Sequence, residues 1–239
     1  MNLVTFGLIL ICCNAWAAKI KPKDLAYADI KLDEFLKKLR TILKTGDEAL
    51  GIPVLDPYHG DLPQLKLTEG TITLDANLTN MNAYGLSAFE IINGVATLFP
   101  PTLSLHLSWP LVSLDTDYSL NAKFDTFNIY GKGTVRMSAR GFGFDTNLNM
   151  TLEGGIFDGH VQIEDMILKL SLSSLDLKVT GLFNDDNLSA ILSAVISDMA
   201  PEMVTDDTLV QEIINFGKKN LNAFLCTKTV SELLKLLNP

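Results

Sequence analysis

The sequence predicts an α+β fold in which a highly curved antiparallel sheet wraps a long C-terminal helix, preceded by an N-terminal amphipathic helix. Residues 64–183 alternate between apolar and polar side chains with a period of two, which is typical of strands that bury one face. Apolar residues recur at helical spacing on both sides of this region. Hydrophobic residues make up 47% of the 239 positions, enough for one large core.

The N-terminal helix is predicted over residues 24–44. Its apolar positions are Leu25, Ile30, Phe35, Leu36, Leu39, Ile42 and Leu43, and basic residues lie between them. Gly46 is expected to end the helix. The segment 51–63 follows with three prolines, which exclude both a helix and a central strand.

The sheet is predicted to be strongly curved. Leu103, Leu105, Leu107 and Trp109 share one parity, and the residues between them are polar or small. The apolar parity reverses near Gly141 and again at Ser173–Ser174. We interpret both reversals as β-bulges, which bend long strands.

Two helical patterns close the chain. The first contains Leu188 to Met199 and is expected to end at Pro201. The second is expected to begin at a cap within residues 205–207 and to run as one long helix to Leu237, weakened or kinked at Gly217. A sheet curled around this helix can enclose an apolar tunnel.

Residues 1–17 read as a signal peptide, and residues 18–239 as a single domain. An uncharged apolar run over residues 3–13 precedes Ala15-Trp16-Ala17, the small-x-small pattern of a cleavage site. The run is too short to span a bilayer, and no later segment is apolar for long enough, so we expect a secreted protein without stable membrane insertion. Cys226 remains as a single cysteine, interpreted as a buried apolar residue or as an intermolecular disulfide.

A secreted protein can be glycosylated at Asn-x-Ser/Thr sequons, and we consider three of them. They begin at Asn77, Asn149 and Asn187, and we expect each asparagine to lie on an exposed surface.

The sequence contains no recognisable catalytic or metal-binding set. A net charge of −9 argues against nucleic acid as a partner. The three histidines lack zinc-site spacing, and no Gly-x-Ser-x-Gly motif is present. The acidic pairs Asp185–Asp186 and Asp206–Asp207 stand at helix starts, where capping explains them. We therefore predict a protein that is not an enzyme and has no cofactor.

Four segments carry a resemblance to a known family. They are GIPVLDPY, LSLHLSWPLVSLDTDYSLNAKF, FNIYGKGTVRM and LFNDDNLSAILSAVISDMAPEMV. In their order and spacing they resemble the insect haemolymph juvenile-hormone-binding/takeout family. The resemblance implies the tubular lipid-binding fold, which bactericidal permeability-increasing protein shares, and a secreted carrier of small apolar ligands such as terpenoid hormones or fatty acids. Mite group 7 allergens resemble the same architecture. The cysteine pair usual near the family's mature N-terminus is absent between Ala18 and Tyr58.

We therefore predict a secreted, non-catalytic carrier of a small hydrophobic ligand held in an internal apolar tunnel. The alternative is an extracellular lipid- or surface-recognition module without a transport role, and any cell-surface receptor is unknown. Tyr118 and Tyr130 are expected to donate hydrogen bonds to an ester, epoxide or carboxylate. The full set of candidate ligand-binding residues is Phe35, Leu39, Leu107, Trp109, Tyr118, Leu120, Tyr130, Met137, Phe142, Phe144, Ile213, Phe216 and Phe224.

Overall fold

A nine-stranded antiparallel sheet dominates the fold. The computed structural model describes residues 30–48, 51–62, 64–69, 72–98, 100–124, 127–155 and 158–232. The strands are β1 (Ile30–Lys31), β2 (Tyr58–Gly60), β3 (Leu65–Glu69), β4 (Ile72–Tyr84), β5 (Glu90–Leu98), β6 (Pro101–Phe124), β7 (Phe127–Glu153), β8 (His160–Ser171) and β9 (Ser174–Val179). The helices are α1 (Asp33–Thr45), α2 (Asp186–Met203) and α3 (Asp207–Leu225). The predicted leader, residues 1–17, lies outside the described residues.

The long strands β6 and β7 form a central ribbon that divides the curled sheet into two halves. In the first half, β5 and β8 flank the ribbon; in the second half, β4 and β9 flank it. The strand β2 lies at a sheet edge beside β4, as its neighbouring prolines require. The predicted fold class, a curled antiparallel sheet with an N-terminal helix and C-terminal helices, is confirmed.

The strands at the junction between the two halves do not form the predicted bulges. The β6–β7 register does not shift there, because Trp109 pairs with Phe142 and Leu111 with Arg140. Both strands instead reverse their faces at one level, where Gly141 adopts a φ of 59°. A Cβ on Gly141 would lie 2.2 Å from the hydroxyl oxygen of Ser173, in the break between β8 and β9. The second reversal is therefore this break rather than a bulge.

The first half of the sheet encloses a hydrophobic core. Helices α1 and α3 pack over it, and their buried residues are Leu36, Leu39, Ile42, Val210, Ile214, Leu221 and Leu225. From the sheet, Leu105 and Leu107 are fully buried. Helix α3 continues without a break through Gly217, which is buried and faces Met166. The predicted weakening at this glycine stays a prediction.

The boundaries of α1 differ from the prediction at one end. Gly46 ends the helix as predicted, and its N–H donates to the Ile42 carbonyl at 2.8 Å. The helix begins at Asp33, however, since Ile30 belongs to β1 and pairs with Ala96 of β5. Residues 24–29 lie outside the described range.

The C-terminal region is a pair of helices rather than one long helix. Helix α2 continues past Pro201 to Met203, and α3 begins after the cap Asp206, whose carboxylate accepts from two backbone N–H groups. The two helices are bent by 76°. No single helix in the described residues has the length and composition of a membrane span; only this bent pair together does. Leu237 lies outside the described residues.

Cys226 is exposed, directly after α3. Its interpretation as a buried apolar residue is therefore wrong, and an intermolecular disulfide stays a prediction.

Asp56 stabilises the turn that precedes β5. Its carboxylate accepts hydrogen bonds from the N–H of Gly85 at 2.9 Å, from the N–H of Ser87 at 2.7 Å and from the Ser87 hydroxyl. Partial burial alone would raise the pKa of this carboxyl. The bonds from Ser87 and Gly85, with the charge of Lys44, outweigh burial and hold the pKa below its ordinary value of 3.8.

We expect Asp56→Ala to lower the free energy of unfolding by about 1–2 kcal/mol at neutral pH, because two N–H groups lose a charged acceptor. A depressed pKa in the folded state stabilises the protein above the ordinary pKa, and this contribution is lost as pH falls through the folded value. Urea unfolding should therefore show a larger gap between variant and wild type at about pH 7 than at about pH 2.5. An equal gap at both pH values would contradict this role of the carboxylate.

Candidate ligand-binding site

An apolar cavity of about 700 Å³ lies between the second half of the sheet and helix α2, and it is partly open to solvent. None of its lining residues is an acid or a base other than one tyrosine. They are Ala76, Leu78, Tyr118, Ser119, Leu120, Asn128, Ile129, Val135, Val179, Leu182, Phe183, Leu192 and Ile196. The volume falls within the range of about 300–1,000 Å³ typical of small-molecule sites.

The apolar wall of the cavity is formed by side chains that alternate strand positions turn to one side of the sheet. Leu78 pairs with Tyr118 across β4 and β6, and Val135 pairs with Val179 across β7 and β9. Residues with even spacing along each strand therefore point to the same side. Gly131 lies opposite Leu120, where a Cβ would come within 2.6 Å of the Gly181 carbonyl oxygen. The absence of a side chain at Gly131 lets the segment after β9 pack directly on β7.

Helix α2 covers the free edge of β9 with its serine face. The hydroxyl oxygens of Ser189, Ser193 and Ser197 accept from the N–H groups of Leu182, Val179 and Leu177, each at 2.9 Å. Serines four residues apart lie on one face of a helix, and they satisfy edge N–H groups that would otherwise be unpaired. This attachment turns Leu192 and Ile196 towards the cavity.

We expect Ser193→Ala to lower the free energy of unfolding by about 1–3 kcal/mol, because the partly buried N–H of Val179 loses its acceptor. Chemical denaturation measures the change. Ser174→Ala removes the hydroxyl group of an exposed serine on β9, the strand that contains Val179. It should change the free energy of unfolding by less than about 0.5 kcal/mol. Equal effects of the two substitutions would contradict the role given to the serine face.

Tyr118 is the one buried polar side chain among the residues that line the cavity. Its hydroxyl donates to the Thr180 carbonyl at 2.9 Å. Burial raises the pKa of the phenol, so it stays protonated at physiological pH. Tyr118 therefore joins β6 to the segment that leads into α2.

The structure places only Tyr118 and Leu120 of the predicted ligand-binding residues in this cavity. Leu39 and Leu107 belong to the hydrophobic core, and Met137 lies at a smaller groove of about 310 Å³. The ring of Phe142 lies 5.7 Å from that of Trp109. The remaining core-packed members of the set are Phe35, Trp109, Phe144, Ile213 and Phe224.

Two predicted residues do not face the interior. Tyr130 pairs with Asn121, is 43% exposed and packs edge-on against Phe183. Its neighbour Ile129 lines the cavity, so alternation turns Tyr130 outwards. Phe216 is 49% exposed, because α3 buries the face that carries Ile214 and Gly217. The inward orientation predicted for both is wrong.

Comparison with known proteins decides the family. The model of the family described as "Haemolymph juvenile hormone binding protein (JHBP)" matches residues 8–234. This chain belongs to that family. The crystal structure of Takeout 1 from Epiphyas postvittana is similar, with a TM-score of 0.51 and 16% sequence identity over 84% of this chain and 92% of that one. The family assignment made from the sequence is thereby confirmed.

A second similar structure is that of lipopolysaccharide binding protein. It shares 15% identity over 82% of this chain and 40% of its own, with a TM-score of 0.36. No curated protein sequence matches the chain.

Most cavity residues of this member of the haemolymph juvenile hormone binding protein family were not predicted as ligand-binding. The missed apolar residues are Ala76, Leu78, Ile129, Val135, Val179, Leu182, Phe183, Leu192 and Ile196. A signal existed for some of them. Ala76 and Leu78 continue an alternating strand, and Leu192 and Ile196 stand four residues apart on a helix.

The described ranges contain no group of three or more His, Cys, Asp or Glu side chains placed to hold a metal ion. Asn77, Asn149 and Asn187 are exposed, as a glycosylation acceptor must be. Their use as acceptors stays a prediction.

Proposed function

We propose that this protein is a secreted, non-catalytic carrier that holds one small hydrophobic ligand in the cavity between the sheet and α2. The observation that carries the proposal is the cavity itself, with a volume of about 700 Å³ and an almost wholly apolar lining. Family membership supports the same conclusion at the level of ligand class, because the family is described as a juvenile hormone binding protein. The word haemolymph in the same description supports secretion.

Binding is driven by transfer of the ligand's apolar surface out of water. Each Å² buried contributes about 25 cal/mol, so about 300 Å² of ligand surface corresponds to about 7.5 kcal/mol before association costs. Side chains of α1 and α3 pack against the first half of the sheet. We place the ligand in the second half, beside α2, where the cavity lies.

Displacement of a fluorescent lipophile tests this function. N-phenyl-1-naphthylamine is titrated into the protein, and its emission should rise on entry into an apolar site and fall when a long-chain lipid competes. Native mass spectrometry of the same samples should show one ligand per chain. No emission change together with no adduct would overturn the carrier function.

The exposed face of α2 favours a second candidate, recognition of an uncharged lipid surface. Ile191, Val195 and Met199 are 60%, 47% and 49% exposed on adjoining turns of this helix. Large exposed apolar patches mark interaction sites. Residues 182–217 contain carboxylates but no Lys or Arg, which argues against anionic lipid. Co-sedimentation with phosphatidylcholine vesicles at physiological salt distinguishes this role from that of a free carrier.

A further inference from the structure

The wall of the cavity that follows β9 has no free backbone donor. Each backbone N–H from residue 179 to residue 185 already has an acceptor, at distances between 2.7 and 3.2 Å. The acceptors, in chain order, are Ser193 Oγ, the Thr134 carbonyl, Asp186 Oδ1, Ser189 Oγ and the carbonyls of Tyr130, Gly181 and Leu182. A ligand group that only accepts hydrogen bonds, such as an ester carbonyl, therefore finds no donor in this wall.

The buried polar side chain of the cavity also lacks a free proton. A phenol hydroxyl has one proton and lone pairs that accept, and Tyr118 donates its proton to the Thr180 carbonyl. The other polar lining residues, Ser119 and Asn128, are exposed at the rim, where water competes for them. What the Tyr118 oxygen retains is acceptor capacity.

The charges around the cavity are unfavourable for an anionic ligand. No Lys, Arg or His lines it. Asp185 and Asp186 lie at the start of α2, and only Asn184 separates them from the lining residues Leu182 and Phe183. A carboxylate taken into this site would lose water without gaining a cation, which is costly in an apolar environment.

We propose that the cavity takes an uncharged lipophile whose polar end donates a hydrogen bond, a long-chain alcohol, in preference to the ester or the carboxylate of the same chain. The Tyr118 oxygen is the acceptor of that bond. This inference rests on the proposed carrier function and names the class of its ligand.

Three ligands with one chain length test the inference. 1-Dodecanol, methyl dodecanoate and dodecanoate compete with N-phenyl-1-naphthylamine at about pH 7.5, where the acid is ionised. We expect the alcohol to bind about 3- to 10-fold more tightly than the ester, as one net hydrogen bond allows, and the carboxylate to bind at least about tenfold more weakly than the alcohol. An ester or carboxylate that competes as well as the alcohol would overturn the inference and leave the carrier function standing. Failure of all three to compete would instead count against the carrier function.

Substitution at Tyr118 separates the hydrogen bond from the cavity. In Tyr118→Phe the ratio of alcohol to ester affinity should fall to about one, while the fluorescent probe still binds. Tyr130→Phe removes a hydroxyl group on the outer face of the sheet. This control variant should keep the wild-type ratio of alcohol to ester affinity. A Tyr118→Phe protein that binds the probe and keeps the alcohol preference would overturn the role of Tyr118. If that variant does not fold, the ranking of the three ligands on wild-type protein decides the inference.

Discussion

Filling the cavity from two walls with Ala76→Phe and Val179→Phe should weaken binding of a fluorescent lipophile by at least about tenfold. Ala76 and Val179 line the cavity from β4 and β9, on opposite sides of the central ribbon. A loss of about 60 Å² of apolar ligand contact corresponds to about 1.5 kcal/mol, close to a factor of ten in the dissociation constant. Fluorescence titration measures the loss.

The matched control carries the same new side chains on the other face of the same strands. Thr73→Phe and Lys178→Phe replace exposed residues of β4 and β9. This protein should bind the probe as wild type does, and both double variants should unfold cooperatively. If the inward variant binds the lipophile with unchanged affinity, the ligand does not occupy this cavity.

Gly131→Ala should lower the free energy of unfolding by about 1–3 kcal/mol and weaken ligand binding as well. The new Cβ would lie 2.6 Å from the Gly181 carbonyl oxygen, 2.8 Å from the Leu182 Cα and 2.9 Å from the Tyr118 hydroxyl oxygen. Two of these atoms belong to the backbone, so they can give way only if the segment after β9 moves off β7. That movement also breaks the wall that carries Leu182.

Gly155→Ala is the matched control for this substitution, because no atom lies within 4 Å of a Cβ at Gly155. Its stability should stay within about 0.5 kcal/mol of wild type. Thermal or urea unfolding compares the two. Similar stabilities of both variants would contradict the close packing described at Gly131.

The strands could be predicted from the sequence because alternation is a local property of extended chain. Inward-facing side chains are those at odd positions from Leu103 to Trp109 and at even positions from Leu114 to Ala122, as their parity predicts. The nature of the reversal at Gly141 could not be predicted, because it involves strands that meet only in the fold. Gly141 and Ser173 contact each other although 32 positions of sequence separate them, and the local sequence around either residue does not reveal this contact.

The site was harder to predict than the fold. Parity identifies inward residues in both halves of the sheet, but it does not distinguish the half packed against α1 and α3 from the half that contains the cavity. The predicted set therefore includes Phe144 and Leu107 as well as Tyr118. The orientation of α2 depends on contacts between residues that are distant in sequence. Its serine face packs against β9, because the hydroxyl oxygens of Ser193 and Ser197 accept from the N–H groups of Val179 and Leu177.

The position of the bound ligand provides the sharpest test of the proposed carrier function. A long-chain alcohol that carries a photoreactive diazirine near its end is bound, irradiated and located by peptide mass mapping. We expect labelling within residues 76–78, 118–120, 179–183 and 192–196, and loss of that labelling when unlabelled 1-dodecanol is added in excess. Labelling confined to the exposed face of α2 around Ile191 and Val195, or to the hydrophobic core beneath α1, would overturn the placement of the ligand in this cavity.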